Sequence, residues 1–152
     1  MKAAAYVALA LSLVAGPARA TLGEPVATVE TDRAQLRSDH RVVQAQAARF
    51  QVHVLTLADG SAIREYVAPS GIVFAVAWST RLKPRLDKLL GAQARRYADA
   101  ASAAMAAPGI RHAVSLSSAD LVVQASVHLN AHVGLAYLRS LVPEGVRIDE
   151  LR

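Results

Sequence analysis

Residues 50–79 have the sequence FQVHVLTLADGSAIREYVAPSGIVFAVAWS, and this stretch decides the fold. Apolar residues alternate with other residues on both sides of Asp59-Gly60, a dipeptide that favours the two-residue type I′ turn of a hairpin. Ser70-Gly71, which follows Pro69, supplies the signal for a second turn. The stretch therefore predicts a meander of three antiparallel strands.

The predicted turns determine which side chains share a face of this meander. With two residues in each turn, Val54 faces Glu65, Glu65 faces Val76, and one face becomes strongly apolar. The side chains that join Glu65 on this face are Val52, Val54, Ile63, Val67, Phe74, Val76 and Trp78. The opposite face carries His53, Leu55, Arg64, Tyr66, Val73, Ala75, Ala77 and Ser79. The third strand is apolar on both faces, so we expect it in the interior of the sheet.

A helix is predicted over residues 84–107. Its apolar residues recur at helical spacing and are Leu82, Leu86, Leu89, Leu90, Tyr97 and Ala101. Proline at 84 suits the first turn of a helix, and Pro108-Gly109 ends the pattern. Gly91 weakens the helix by about 1 kcal/mol relative to alanine, or it marks a kink. This amphipathic helix should cover the apolar face of the meander.

The rest of the chain adds an arm, a hairpin and a tail. Thr28 is a possible N-cap of a short, weak helix within an N-terminal arm, residues 21–49. Residues 38–49 show no clear period and are predicted to form a linker or a loosely held arm. Unbroken alternation over residues 127–137 predicts a strand, with residues 121–124 as its partner.

These patterns together predict one α+β domain over residues 50–142, followed by a tail at 143–152. Its antiparallel sheet combines the three-strand meander with the C-terminal hairpin, and one long helix packs on one face. An all-β sandwich with a peripheral helix is the alternative. The chain has no cysteine, so we expect a core without disulfides, which about 130 residues can support.

The first twenty residues have the pattern of a secretory signal peptide. Lys2 precedes an apolar run over residues 3–15, and Gly16-Pro17 leads into the small residues around a cleavage site after Ala20. We therefore expect a periplasmic or secreted protein. No later stretch approaches the ~20 continuous apolar residues of a transmembrane helix, so no such segment is expected after cleavage.

The histidines do not predict a metal site. His128 and His132 have the i, i+4 spacing of helical metal ligands, but the alternation around them predicts a strand. Four strand residues span about 13 Å, which is too far for two imidazoles to share one ion. We expect no metal and no other cofactor.

Glu65 is the most unusual residue of the meander, because a carboxylate among valines is costly unless it is paired, solvated at an edge, or protonated through a raised pKa. An ion pair or an edge position is the favoured interpretation. On the other face, His53, Arg64 and Tyr66 are candidates for a polar pocket with an anion clamp and an acid/base group. A solvated sheet face explains the same three residues. The chain has no nucleophile motif, and no catalytic residue is predicted.

A basic cluster begins the predicted helix. Its members, opposed within residues 81–96 by a single acid, are Arg81, Lys83, Arg85, Lys88, Arg95 and Arg96. Such a cluster is a candidate site for a phosphate, an acidic polymer or an anionic membrane surface, although charge runs more often only solvate a helix face. Nucleic acid is not expected, since aromatic residues do not interleave with the basic ones.

Several motifs resemble the bacterial domain of unknown function 2844. They are TLG at 21–23, REYVAPSGIVFAVAW at 64–78, LLG at 89–91 and ADLVV at 119–123, and the resemblance covers essentially the whole chain after the signal peptide. It implies a small exported proteobacterial protein with no established activity, and it assigns no role to any residue.

The sequence as a whole favours a non-catalytic accessory or binding module of the cell envelope. Its partner would be another envelope protein or an anionic surface, and the sequence leaves the oligomeric state open. The alternative is a small periplasmic enzyme that uses His53, Arg64 and Glu65. That enzyme would need His53 and Glu65 to converge on one concave site, whereas the predicted register sends them to opposite faces.

Overall fold

A computed structural model of the protein describes residues 22–44, 49–105 and 113–151. The predicted signal peptide and the predicted helix end at Pro108-Gly109 lie outside these ranges. The strands of its single antiparallel sheet are β1 (Asp39–Gln44), β2 (Gln51–Thr56), β3 (Ala62–Val67), β4 (Val73–Thr80), β5 (Ala113–Ser118), β6 (Leu121–His128) and β7 (Ala131–Leu138). Their spatial order is β1-β2-β3-β4-β7-β6-β5. The predicted combination of helices with an antiparallel sheet is confirmed.

The prediction of a three-strand meander plus a hairpin is wrong in detail, because the first four strands form one meander and the last three form another. Residues 39–44, predicted as part of a linker, form the edge strand β1. Its apolar residues Val42 and Val43 remain 49% and 40% exposed. Because this edge strand buries little apolar surface, its sequence needs no strong alternation of apolar and polar residues. The sequence pattern therefore did not predict it.

The C-terminal strands also turn farther along the chain than predicted, since predicted strands at 121–124 and 127–137 leave the turn at Ala125-Ser126. β6 continues to His128, and a two-residue turn at Leu129-Asn130 connects it to β7. Leu129 adopts a positive φ of 51° and is fully exposed. Because the turn contains no glycine, the alternation of residues 127–137 gave no sign of a break.

The predicted long helix consists of three shorter pieces. These are α2 (Leu86–Leu89), a 3₁₀ turn (Gly91–Gln93) and α3 (Ala94–Met105), and α1 (Ala27–Leu36) precedes them in the chain. Gly91 adopts a positive φ of 45°, a conformation that interrupts a right-handed helix. The kink that the glycine predicted therefore occurs, and the single long helix does not. Within the described ranges, no helix is long and apolar enough to cross a membrane.

The first turn of the meander contains three residues rather than two. The Leu57 N–H donates to the Ser61 carbonyl, and the Gly60 N–H donates to the Leu57 carbonyl. Gly60 has a φ of +79°, whereas Asp59 does not have the positive φ that a type I′ turn requires. The loop is the three-residue hairpin that ends in a left-handed glycine.

The extra turn residue moves β2 by one position against β3. His53 rather than Val54 lies opposite Glu65, and Val54 lies opposite Arg64. Since a shift of one residue exchanges the faces of a strand, the predicted face of every β2 side chain is wrong. His53 and Leu55 join Glu65 on one face of the sheet.

The second turn also has three residues, but a β-bulge in β4 offsets the change of register that the extra turn residue would cause. The Ala68 N–H donates to the Ile72 carbonyl, and Gly71 has a φ of +79°. The β-bulge adds a residue to β4 next to Phe74. The predicted pairing of Glu65 with Val76 is therefore confirmed, although Phe74 and Val73 each lie on the face opposite to the one predicted.

Two apolar clusters fill the two sides of the sheet. On the side we call the helix-covered face, α1, α2, Leu22 and Tyr97 cover residues that include Ile63, Val67, Val76, Trp78 and Val123. On the other side, which we call the open face, Phe50, Tyr66 and Phe74 pack edge to face or tilted with ring centroids 5.8 to 6.2 Å apart. The C-terminal tail docks on these rings, and its last described residue, Leu151, is buried.

Candidate functional site

A cleft of about 400 Å³ lies on the open face, beside the part that the tail covers. Its floor is one cross-strand row, which runs from β3 to β5 through Arg64, Ala77, Leu135, Gln124 and Ser115. The next row adds Ser79, Val133, Ser126 and Ala113. We call this cavity the open-face cleft.

The open-face cleft exists because these two rows carry small side chains. Alanine and serine at 77, 79, 113, 115 and 126 leave space above the sheet that larger residues would fill. The neighbouring row instead holds Tyr66 and Tyr137, which lie under the tail. Leu151 lines the cleft where the tail ends, so the last described residue forms one of its walls.

Arg64 gives the open-face cleft its charge. It is the only charged residue among the described residues that line the cleft, and its side chain is half-buried. Within the described part of the chain, no carboxylate forms an ion pair with Arg64. Burial raises the pKa of the neighbouring Tyr66 hydroxyl, while the positive charge of Arg64 acts in the opposite direction. The guanidinium is therefore available to a ligand in the cleft.

A second polar group lies within the helix-covered face. Glu65 is 1% exposed, its cross-strand partner His53 is 7% exposed, and Asp32 of α1 is 3% exposed. Burial, with a smaller contribution from the Asp32 charge, raises the pKa of Glu65 from 4.5 to about 8. The Glu65 side chain is therefore mostly protonated and neutral at pH 7, and the charged form is disfavoured in the core.

This buried group is not arranged as an open catalytic site. Neither Glu65 nor His53 lines the open-face cleft, and neither lines the cavity of about 170 Å³ next to Lys83 or the one of about 310 Å³ next to Pro69. His53 and Glu65 do meet across two strands, contrary to the predicted register. Arg64, the third residue of the alternative enzyme, points to the opposite face, so these three side chains do not share one site.

The predicted polar face of His53, Arg64 and Tyr66 requires a correction. His53 lies on the helix-covered face because the first turn has three residues. Tyr66 is buried in the aromatic cluster under the tail. Of the three candidates, Arg64 alone lines the cleft.

The six residues of the basic cluster do not converge on one point. Arg85 forms an ion pair with Asp87 at 2.8 Å, and the Lys88 ammonium donates to the side chain of Gln35 at 3.3 Å. Lys83, Arg85 and Lys88 line a cavity of about 170 Å³ between α1 and α2. Arg95 and Arg96 belong to α3, and Arg81 uses its backbone N–H to bond Ser61. Beside them, Leu82 is 76% exposed.

The two histidines with helical spacing fall on different strands. His128 ends β6 and His132 lies in β7, and the register places them on opposite faces of the sheet. Among the residues that the structure describes, no group of three or more potential metal ligands lies close enough to hold an ion.

Sequence reasoning missed Ser115, Gln124 and Ser126 of the open-face cleft. Residues 113–118 alternate serine with valine and leucine, which is the period of a strand with one polar face. That alternation was the available signal for β5. Asp32 was missed as well, since nothing in its local sequence marks it as buried.

The chain matches the family model described as a protein of unknown function (DUF2844) over residues 18–151. Neither the comparison with curated proteins nor the comparison with solved structures finds a significant match. Because the family match covers nearly the whole chain, this protein belongs to the DUF2844 family.

Proposed function

We propose that this protein is an exported, non-catalytic binding module of the bacterial cell envelope, and that the open-face cleft is its ligand site. The observation that carries the proposal is the coincidence of a cavity of about 400 Å³ with Arg64, which forms no ion pair with any carboxylate among the described residues. Cavities of roughly 300 to 1,000 Å³ are typical of small-molecule sites in proteins.

The sequence supports the location in the envelope. Residues 1–20 have the pattern of a signal peptide that is cleaved after Ala20. The protein would then act in the periplasm, or outside the cell, of a proteobacterium. The finer domain organisation, with an arm at 21–49 and a tail at 143–152, belongs to the same proposal.

Binding is favoured over catalysis because the groups with acid/base chemistry lie away from the cleft. The open-face cleft contains serine hydroxyls, an amide and a guanidinium, which bind and orient a ligand but do not form an activated nucleophile. The alternative enzyme would require His53 and Glu65 to face the same cavity as Arg64.

The proposal is tested by filling the cleft. Ser79 is exposed at the floor, so Ser79→Trp should fold and occupy the space that a ligand needs. Thr56→Trp is the matched control, since Thr56 is exposed on the same face but lies on β2, outside the cleft. Sugars, sugar acids, amino acids and dicarboxylates are then screened by ligand-observed NMR.

Compounds that bind the wild-type protein should lose binding to Ser79→Trp and keep binding to Thr56→Trp. If every binder persists in Ser79→Trp, or if no compound binds the wild-type protein, the cleft is not the site that we propose.

A specific observation favours an anionic membrane surface as a second candidate partner. Leu82 is exposed between Arg81 and Lys83, and an exposed apolar residue among cations is typical of a segment that inserts at a charged interface. Leu82→Ser and Lys83→Gln should each weaken sedimentation with phosphatidylglycerol vesicles severalfold at low salt. Leu129→Ser is the matched control, since Leu129 is also exposed but has no lysine or arginine beside it in the chain.

If the wild-type protein and the three variants bind the vesicles equally, or if none of them binds at low salt, the basic cluster does not recognise an anionic membrane surface. A partner protein of the envelope, the other candidate, would be found by cross-linking in cells rather than by vesicle binding.

A further inference from the structure

The charge distribution in the open-face cleft indicates the class of ligand, an inference that rests on the proposed function. Among the described lining residues, Arg64 supplies one positive charge and no residue supplies a negative one. A half-buried guanidinium pairs best with a carboxylate or a phosphate, to which it donates two parallel hydrogen bonds. A neutral ligand would leave this charge without a partner in a partly desolvated site.

The two ends of the cleft differ in their chemistry. Arg64 lies on β3, whereas Gln124 and Ser115 lie on β6 and β5, at the other end of the same cross-strand row. Three strand spacings separate β3 from β6, or about 14 Å between the backbones. Hydroxyl and amide groups at the second end can donate and accept hydrogen bonds, but they carry no charge.

The floor between these ends combines aliphatic side chains with hydroxyl groups. Ala77 and Leu135 lie between Arg64 and Gln124 in the row, and the next row adds Ser79, Val133 and Ser126. Such a floor favours an extended ligand that lies along the row and makes hydrogen bonds to hydroxyl groups.

We propose that the open-face cleft binds an elongated organic anion, with its anionic group on Arg64 and its hydroxyl groups over Ser126, Gln124 and Ser115. The anionic group determines the orientation of the ligand, and the polar side chains of β6 and β5 at the other end select against purely aliphatic acids. Arg64 is therefore the residue that distinguishes an acid from the corresponding alcohol.

Gluconate and glucitol are the probes that test this orientation, because both are open-chain six-carbon polyols and differ only in a carboxylate at one end. Each is titrated into the ¹⁵N-labelled protein at low ionic strength, and the backbone amide signals are followed. The variants are Arg64→Met, which removes the charge, and Arg64→Lys, which keeps it without the bidentate geometry. Arg95→Met, on the exposed side of α3, is the control.

Gluconate should shift amide signals of β3, β4, β6 and β7 around the cleft, and glucitol should bind roughly tenfold or more weakly. Arg64→Met should weaken the binding of gluconate by about the same factor and leave the binding of glucitol unchanged. The affinity of Arg64→Lys for gluconate should lie between those of the wild-type protein and Arg64→Met. Arg95→Met should bind both compounds as the wild-type protein does.

Equal affinity of the wild-type protein for gluconate and glucitol would overturn the inference while leaving the cleft as a binding site. An unchanged affinity of Arg64→Met for gluconate would overturn it in the same way. Shifts confined to residues outside the cleft, or no shifts with gluconate, would also overturn it, and the Ser79→Trp screen would then decide separately on the proposed function.

Discussion

Replacing Glu65 with glutamine should make the stability of the protein less dependent on pH. The wild-type side chain is buried between β2 and β4, where the charged carboxylate is disfavoured. Its pKa is therefore about 8 in the folded protein, against 4.5 as the ordinary value. Glutamine has nearly the same shape and stays neutral at every pH.

The direction of the effect follows from proton binding. Between pH 4.5 and about 8 the folded protein holds a proton on Glu65 that the unfolded chain has released. Unfolding then releases a proton, so the wild-type protein loses stability as the pH rises through this window and loses none below it. At roughly 1.4 kcal/mol per pH unit, the loss by pH 7 is on the order of 3 kcal/mol.

The measurement is urea unfolding of wild-type protein and Glu65→Gln at several pH values between about 4 and 8. The free energy of unfolding of Glu65→Gln minus that of the wild-type protein should increase by about 3 kcal/mol between pH 4.5 and 7. Any constant cost of burying the amide cancels in this comparison. Glu144→Gln, which makes the same substitution at an exposed position, is the matched control.

A difference between Glu65→Gln and the wild-type protein that stays constant with pH would refute this reasoning, since it would mean that the folded and unfolded states hold the proton equally. A second variant refines the test. Asp32→Asn removes the carboxylate whose charge adds to the effect of burial on the pKa of Glu65. The pKa of Glu65 should therefore fall, and the pH range over which this variant loses stability should end at a lower pH than in the wild-type protein.

Three further perturbations probe the packing of the sheet. Gly134→Ala should destabilise the protein by more than about 2 kcal/mol in urea unfolding, because the new Cβ would lie 2.1 Å from the ring of Trp78; wild-type stability would contradict that contact. Leu129→Gly should raise the free energy of unfolding by up to about 1 kcal/mol, since Leu129 has a positive φ and no buried surface to lose. A lower free energy of unfolding would contradict the backbone strain that we assign to Leu129. Truncation after Glu150 should cost about 2 kcal/mol, because Leu151 is fully buried; an unchanged melting temperature would show that the tail does not dock.

The elements of the meander could be predicted from the sequence, but the lengths of its turns could not. The dipeptide Asp59-Gly60 suits both a two-residue and a three-residue loop, and the choice depends on the sign of φ at Asp59. That single choice decides whether His53 lies beside Glu65 or on the opposite face. Local sequence carries no strong signal for it, because packing of the whole strand decides between the two registers.

The open-face cleft was predictable only at Arg64, which the alternation placed on the polar side of β3. Ser115 and Gln124 reach the cleft because β7 pairs with β4 and carries β6 and β5 to the far edge of the sheet. That order results from pairing between segments more than 50 residues apart in the chain. Periodicity within a segment reports the face of a strand but not the neighbour of that strand.

The proposed role of the open-face cleft is tested most directly by blocking it with a covalent label. The chain contains no cysteine, so Ser126→Cys provides a single thiol in the cleft and Ser102→Cys provides one on the exposed side of α3. Each variant is labelled with a bulky maleimide and titrated with the tightest binder of the NMR screen. We predict that the label at 126 abolishes binding and that the label at 102 leaves it unchanged. Equal binding by both labelled proteins would contradict the assignment of the cleft as the ligand site.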